Sequence, residues 1–313
     1  MSSSFSGSFR FFRVAGIQVY VHWSWFIIAW IEISARRAYY ASPVWNVAEY
    51  LALFLIVLMH EFGHALACRQ TGGQANEIVL WPLGGVAFVQ PPVRPGAELW
   101  SIAAGPLVNV VLVPVLFGVV WLCRTQGWLA AEPDLRQFLS DLIKINLLLL
   151  AFNLLPIYPL DGGQILRSLL WFAVGRARSL QIASIIGFIG VAGFVAFAVW
   201  QQSIWMGIMA LFAGQRCLIG YRSAQGLLAL EKLPRHPGYA CPSCQQAPPG
   251  GPLWRCAACG NSFDAFSTGS VCPHCQTTLP QITCVQCGTE SPIAAWDRNP
   301  SRRRTGPSSV IDI

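Results

Sequence analysis

Charge is what this sequence has least of. Only 11% of its 313 residues are Asp, Glu, Lys or Arg, where a soluble domain carries about 25%. So little charge cannot cover a water-facing surface of this size, which excludes an ordinary soluble globular protein. Residues 238–296 are poorer still in strong bases, holding only Arg255, so that stretch lacks an electrostatic footprint for nucleic acid. The N-terminal MSSSFSGSFRFFR is followed by no small-residue cleavage site, so we read no removable signal peptide and expect the first apolar stretch to stay in place. What fills the space is apolar: 54% hydrophobic residues, 13 tryptophans and a mean hydropathy of +0.49. The medium is a bilayer.

Six segments approach the roughly 20 apolar residues that span a hydrocarbon core. They lie at about 16–35, 47–68, 99–123, 137–156, 180–200 and 203–220; the last two could also form one re-entrant unit. Arg10, Arg13, Arg69, Arg94, Arg167, Arg176 and Arg178 collect on one side, against Arg36, Arg37, Arg124 and Arg136 on the other. Arg222, Lys232 and Arg235 join the first group, so the positive-inside rule puts both termini in the cytoplasm. The net charge of +7 is largely this asymmetry plus Arg302, Arg303 and Arg304. The expected fold is therefore an all-α polytopic membrane domain over 1–232, then a small β-rich module over 238–296, then a disordered tail over 297–313. Between the second and third spans, NEIVLWPLGGVAFVQPPVRPG is too broken by Pro and Gly to cross; strands at about 77–81 and 85–90 fit it better. Such a membrane-associated hairpin could be an edge for another chain to pair with, or a structural plug.

The run LALFLIVLMHEFGHALAC, residues 51–68, sets two histidines and a glutamate into an apolar span, where they are costly unless something binds them. His60 and His64 stand one turn apart on one helix face and can share one ion, while Glu61 can reach a water on that ion, as in the HExxH arrangement of metalloproteases. An interhelical hydrogen-bond network is the plainer alternative. A catalytic zinc takes three protein ligands and leaves one position for water. Asp161, in NLLPIYPLDGG after the fourth span, is the candidate third ligand: Pro156 and Pro159 break the helix and Gly162-Gly163 allow a turn, so we expect it on unwound chain. Both motifs end even-numbered spans, hence lie on the same face. Counting 1.5 Å per residue from Arg69 puts His64 about 7 Å and His60 about 13 Å inside the interface.

HEFGH in a span, followed by LWPLGG, AGPLVN and NLLPIYPLDGG, resembles the site-2 protease family of intramembrane zinc metalloproteases. The stretch GIQVYVHWSW before a short first span makes it most similar to the bacterial six-span group that processes a sporulation pro-sigma factor. The resemblance covers about residues 14–222. It implies a bacterial cytoplasmic membrane, a catalytic zinc on His60, His64 and Asp161, Glu61 as general base, and a membrane-anchored protein as substrate. It also implies that Asn153 and Asn109 hold substrate backbone or the oxyanion, although Asn109 could equally be an interhelical hydrogen bond. His22 reads as a packed or interfacial residue. The loop after HEFGH is too short for a PDZ module and no CBS pair is present, so something else occupies the tail.

That something is CPSC, CAAC, CPHC and CVQC, eight of the 11 cysteines. Each CxxC offers two thiolates, and two such knuckles complete one tetrahedral zinc site. We expect sequential pairing: Cys241, Cys244, Cys256 and Cys259 in one ribbon, Cys272, Cys275, Cys284 and Cys287 in the other, giving two structural zinc ions. Cys68, Cys123 and Cys217 read as small buried hydrophobes, and His274 as a bystander. The module suits recognition of a protein substrate or regulator. The functional reading is an intramembrane zinc endopeptidase; its rival is a non-proteolytic zinc-binding scaffold or transporter, which has no need of Glu61.

Overall fold

The computed structural model describes residues 7–81 and 84–298, with the backbone alone for 84–86. The chain divides into two compact units, residues 1–221 and 222–313.

The first unit opens with a hairpin of β1 (Ser8–Val14) and β2 (Ile17–His22), turned by Ala15 and Gly16 at φ of 50° and 75°. Helices α1 (Ser24–Ala35) and α2 (Pro43–Gln70) then cross over to β3 (Gln74–Trp81) and β4 (Gly84–Gln90). The crossover makes β2–β3 parallel, while β1–β2 and β3–β4 are antiparallel, in the sheet order β1-β2-β3-β4. The expected hairpin is therefore half of a larger sheet, with β4 at its edge among the described residues.

This sheet overturns the expected first span. Ile17, Val19 and Val21 pack towards α2, while Gln18, Tyr20 and His22 take the intervening positions, a period of two that belongs to a strand even though Tyr20 is buried as well. The next element is α1, whose 12 residues rise about 18 Å, too short for a core of about 30 Å.

The remaining helices of this unit are α3 (Pro95–Thr125), α4 (Trp128–Ala131), α5 (Pro133–Asn153), α6 (Asp161–Val174), α7 (Arg176–Trp200) and α8 (Ile204–Glu231), the last running on into the second unit. Among the described residues four helices, α2, α3, α7 and α8, are long and apolar enough to cross a membrane, not six. The expected fourth span is α5, which carries Asp134, Arg136, Asp141 and Lys144 and so falls below that standard. The last two expected spans are separate helices, α7 and α8.

Helices α2 and α3 touch closely: a Cβ on Gly63 would lie 2.6 Å from the Ala104 carbonyl oxygen. Farther along α2, Ile56 packs with Leu116 of α3 and Leu142 of α5. Beyond that apolar layer the Tyr40 hydroxyl donates to Glu49 at 2.6 Å, and Lys144 pairs with Asp141 at 3.0 Å.

The second unit holds β5 (Trp254–Arg255), β6 (Ser262–Phe263), β7 (Ile282–Thr283), β8 (Glu290–Ser291) and α9 (Ile293–Trp296). Its ends are tied together, with Ala240 N–H donating to Trp296 O at 2.7 Å and Arg298 N–H to Gly238 O at 3.1 Å. The module is thus held together from Gly238 to Arg298. The tail for which we expected disorder lies, from residue 299, outside the described residues.

Candidate active site and metal centres

The site is assembled from three helices. One face of α2 supplies His60 and His64, and α6 supplies Asp161, which is the first residue of that helix rather than part of an unwound segment. Gly162 and Gly163 seat the helix start against the 154–158 turn: a Cβ on either would come within 2.3 Å of that backbone. Asp161 Oδ2 lies 3.1 Å from His60 Nε2 and 3.5 Å from His64 Nε2, and the two Nε2 atoms are 3.1 Å apart.

The hydrogen bonds behind the imidazoles decide what faces inward. His64 Nδ1 sits 2.9 Å from the Ser101 carbonyl oxygen, which can only accept. Asn109 donates through Nδ2 to Asn146 Oδ1 at 2.8 Å, so its Oδ1 is what His60 Nδ1 meets at 2.7 Å. Both Nδ1 atoms are therefore donors, and both Nε2 atoms present lone pairs. Two imidazole lone pairs and a carboxylate oxygen at such distances repel one another unless a cation lies between them. The donor set, two neutral nitrogens and one carboxylate oxygen within 4.8 Å, fits a zinc ion with a position left open.

Glu61 stands beside this group without joining it. Its Oε2 accepts the Ala87 N–H of β4 at 2.9 Å, so that N–H points away from β3 and towards α2. Of the other expected residues, Asn109 is fully buried with both amide atoms engaged behind His60. Asn153 ends α5, half-buried, and no hydrogen bond joins it to the group among the described residues. His22 lies at the end of β2, its ring stacked on Trp81 at 4.8 Å. Sequence reasoning missed Asn146, which returns a bond from Nδ2 to the Asn109 carbonyl oxygen at 3.0 Å. The available signal was one more amide in an apolar run, KINLLLL. It also missed Ser101 and Gly105; a Cβ on Gly105 would lie 2.3 Å from His64 Nε2.

The cysteines pair differently from expectation. Cys241, Cys244, Cys284 and Cys287 form one set, and Cys256, Cys259, Cys272 and Cys275 the other, so one ribbon is inserted into its neighbour. The reason is in the strands. The CAAC knuckle sits at the tip of the β5–β6 hairpin and CVQC at the tip of β7–β8, and each hairpin tip takes as partner a knuckle from a loop. CAAC takes the loop that follows it; CVQC takes CPSC because the module's two ends meet. All four knuckles turn at the residue after the second cysteine, with φ of 60° at Gln245 and Gln276 and 75° at Gly260 and Gly288. Across the knuckles, Cys256–Cys275 and Cys259–Cys272 sulfurs lie 3.5 and 3.6 Å apart and Cys241–Cys287 and Cys244–Cys284 3.7 and 3.8 Å, and every sulfur of a set is within 4.8 Å of the others. Tetrahedral zinc at about 2.3 Å from sulfur requires an edge of about 3.8 Å, so both sets fit one ion each. The Thr277 hydroxyl and backbone beside Cys275 draw its thiol below the ordinary range, while Cys259 of the same set is pushed above it.

Residues 48–131 and 124–197 match the family model described as Peptidase family M50. The chain is 32% identical over 205 residues to "Zinc metalloprotease MJ0392" of Methanocaldococcus jannaschii, covering 66% of this chain and 58% of that one. It is 33% identical over 185 residues to "Putative zinc metalloprotease YwhC" of Bacillus subtilis, covering 49% of this chain and 80% of that one. A solved structure, "Site-2 Protease from Methanocaldococcus jannaschii", superposes with a TM-score of 0.49 at 29% identity, over 68% of this chain and 95% of the other. The chain spans little more than half the length of the first curated relatives it matches, 58% and 55%. The matched segments contain the paired histidines, Glu61 and Asp161, and one relative shares a third of its residues over four-fifths of its length: the chain belongs to peptidase family M50.

Proposed function

We propose that this protein is a zinc-dependent intramembrane endopeptidase of the site-2 type, which hydrolyses a peptide bond in a membrane-anchored protein. The observation that carries the reading is the convergence of His60, His64 and Asp161 beside a glutamate that is no ligand. A zinc ion on these ligands supplies Lewis acidity, polarising the scissile carbonyl and lowering the pKa of water to about 7. Glu61 takes the proton of the attacking water and returns it to the leaving nitrogen. Asn109 and Ser101 hold the imidazoles in the tautomer the metal needs, and substrate contact by an amide falls to Asn153.

A helical substrate hides its carbonyls in its own hydrogen bonds and must unwind before attack. The outer edge of β4 suits the unwound piece as an added strand, because Glu61 meets that edge at Ala87. The arginine bias supports a site near the cytoplasmic leaflet and a cytoplasmic C-terminus, and the cysteine module would bind a protein substrate or regulator.

Glu61→Gln in the purified full chain tests the mechanism against a single-span substrate. Zinc content is expected to stay and cleavage to vanish. Unchanged cleavage would remove Glu61 from the chemistry, whereas a wild type that binds zinc and cleaves nothing would favour a scaffold or transporter.

A further inference from the structure

Helix α3 supplies no ligand, yet one of its faces backs both histidines and reaches the helix that carries Asp161. Glu98, Ser101, Gly105 and Asn109 follow at intervals of three and four residues, so they form a single stripe. Ser101 holds His64, Asn109 holds His60, and Gly105 lies under both rings. At the end of the stripe Glu98 Oε1 accepts from Arg167 Nη1 at 2.6 Å, and Arg167 belongs to α6, the helix that begins with Asp161.

Both partners are withdrawn from solvent, with side-chain exposures of 12% and 16%, and the Arg167 Nε is buried with no hydrogen-bond partner among the described residues. A buried ion pair is a poor source of net stability, because desolvation offsets most of the attraction; its better-attested use is to enforce one arrangement over others. Here the arrangement is the seating of α6 on α3. The glycines at positions 162 and 163 fix how closely the start of α6 approaches the preceding turn. They leave its rotation and tilt open, and these decide where the Asp161 carboxylate points.

We propose that the Glu98–Arg167 pair is a positioning device for the third ligand: it docks α6 so that Asp161 closes the site against His60 and His64, and thereby sets the zinc affinity. This role rests on the zinc reading of the site. One face of α3 then templates all three ligands, two directly and the third through α6.

The test uses the full-length chain in detergent, with bound zinc measured after equilibration against graded chelator. His64→Ala identifies which zinc belongs to the membrane unit. Glu98→Gln and Arg167→Gln should each weaken that zinc about tenfold, at the low end of the roughly 10- to 100-fold lost with a group bonded directly to a ligand, and leave the two cysteine-bound ions unaffected. The exchanged pair, Glu98→Arg with Arg167→Glu, should recover most of the affinity, which a general loss of packing would not allow. If the single variants do not fold, Glu98→Asp keeps the charges and shortens the reach, and must loosen the zinc at unchanged melting temperature. Zinc held as tightly as in the wild type, or a folded exchanged pair without recovery, overturns the proposal. A wild type with two zinc ions, indifferent to His64→Ala, would instead sink the zinc reading itself.

Discussion

The position beneath the two imidazoles tolerates no side chain. Gly105→Ala would put a methyl group 2.3 Å from His64 Nε2 and 2.8 Å from His60 Nε2, where neither ring can retreat without losing its bond to Ser101 or Asn109. The expected result is loss of the membrane-unit zinc alone, read as metal content per chain, with the cysteine-bound ions retained. Nothing in AGPLVN announces this constraint, because it arises between helices. His60, Glu61, His64 and Asp161 were legible because their types are costly in apolar sequence and two of them share a helix face. Asn146 and Ser101 were not: their roles depend on which turn of α5 or α3 faces α2, and Ser101 acts through its backbone carbonyl, which every residue has.

Among the elements, β4 offers the sharpest test. Its Ala87 N–H serves Glu61 and not β3, so Ala87→Pro removes that bond and leaves the ladder with β3 in place, as proline does on an edge strand. Cleavage should fall while zinc content and thermal melting hold; unchanged cleavage would detach β4 from the chemistry. Strand β2 explains why one span was misread. Read together with the apolar residues of α1 it passes for one span, and only the alternation of Ile17, Val19 and Val21, packed towards α2, with Gln18, Tyr20 and His22 separates strand from span. Hydropathy averaged over twenty residues erases a period of two. Helix α6 escaped notice for a related reason: PLDGG reads as a turn, yet both glycines are required by close backbone approach within a helix.

For the molecule as a whole, the interleaved ribbons make a stoichiometric prediction. Cys241→Ser combined with Cys287→Ser should cost one zinc ion, because both belong to one set, whereas Cys241→Ser with Cys256→Ser should cost two. Sequential pairing reverses these outcomes. The spacing of four equal knuckles could not choose between the arrangements; the hairpins do. The same module contains an acid-sensitive brace. Burial pushes the Asp264 carboxyl up, but the Gly251 N–H and then His236 and Ser267 outweigh it, leaving the group below its ordinary range. Its contribution is thus present above the unfolded aspartate value of about 4 and is lost as pH falls through the lower folded value. Asp264→Asn should destabilise the module by about 1–3 kcal/mol at neutral pH, and the gap to the wild type should narrow in melts taken through the carboxylate range. A gap that stays constant with pH would assign the loss to shape instead of charge.

The layer of Ile56, Leu116 and Leu142 has a bearing on the cell as well as on the fold. It stands between the catalytic face of α2 and the polar group around Glu49 and Asp141, which begins eleven residues, roughly 16 Å, before His60. The hydrolysis proposed above would need water inside the bilayer, and a wet path open at both ends would short-circuit the ion gradients across it. Water that reached the histidines would meet the layer of Ile56, Leu116, Leu142 and the side chains packed on them, which makes the arrangement a well and not a pore.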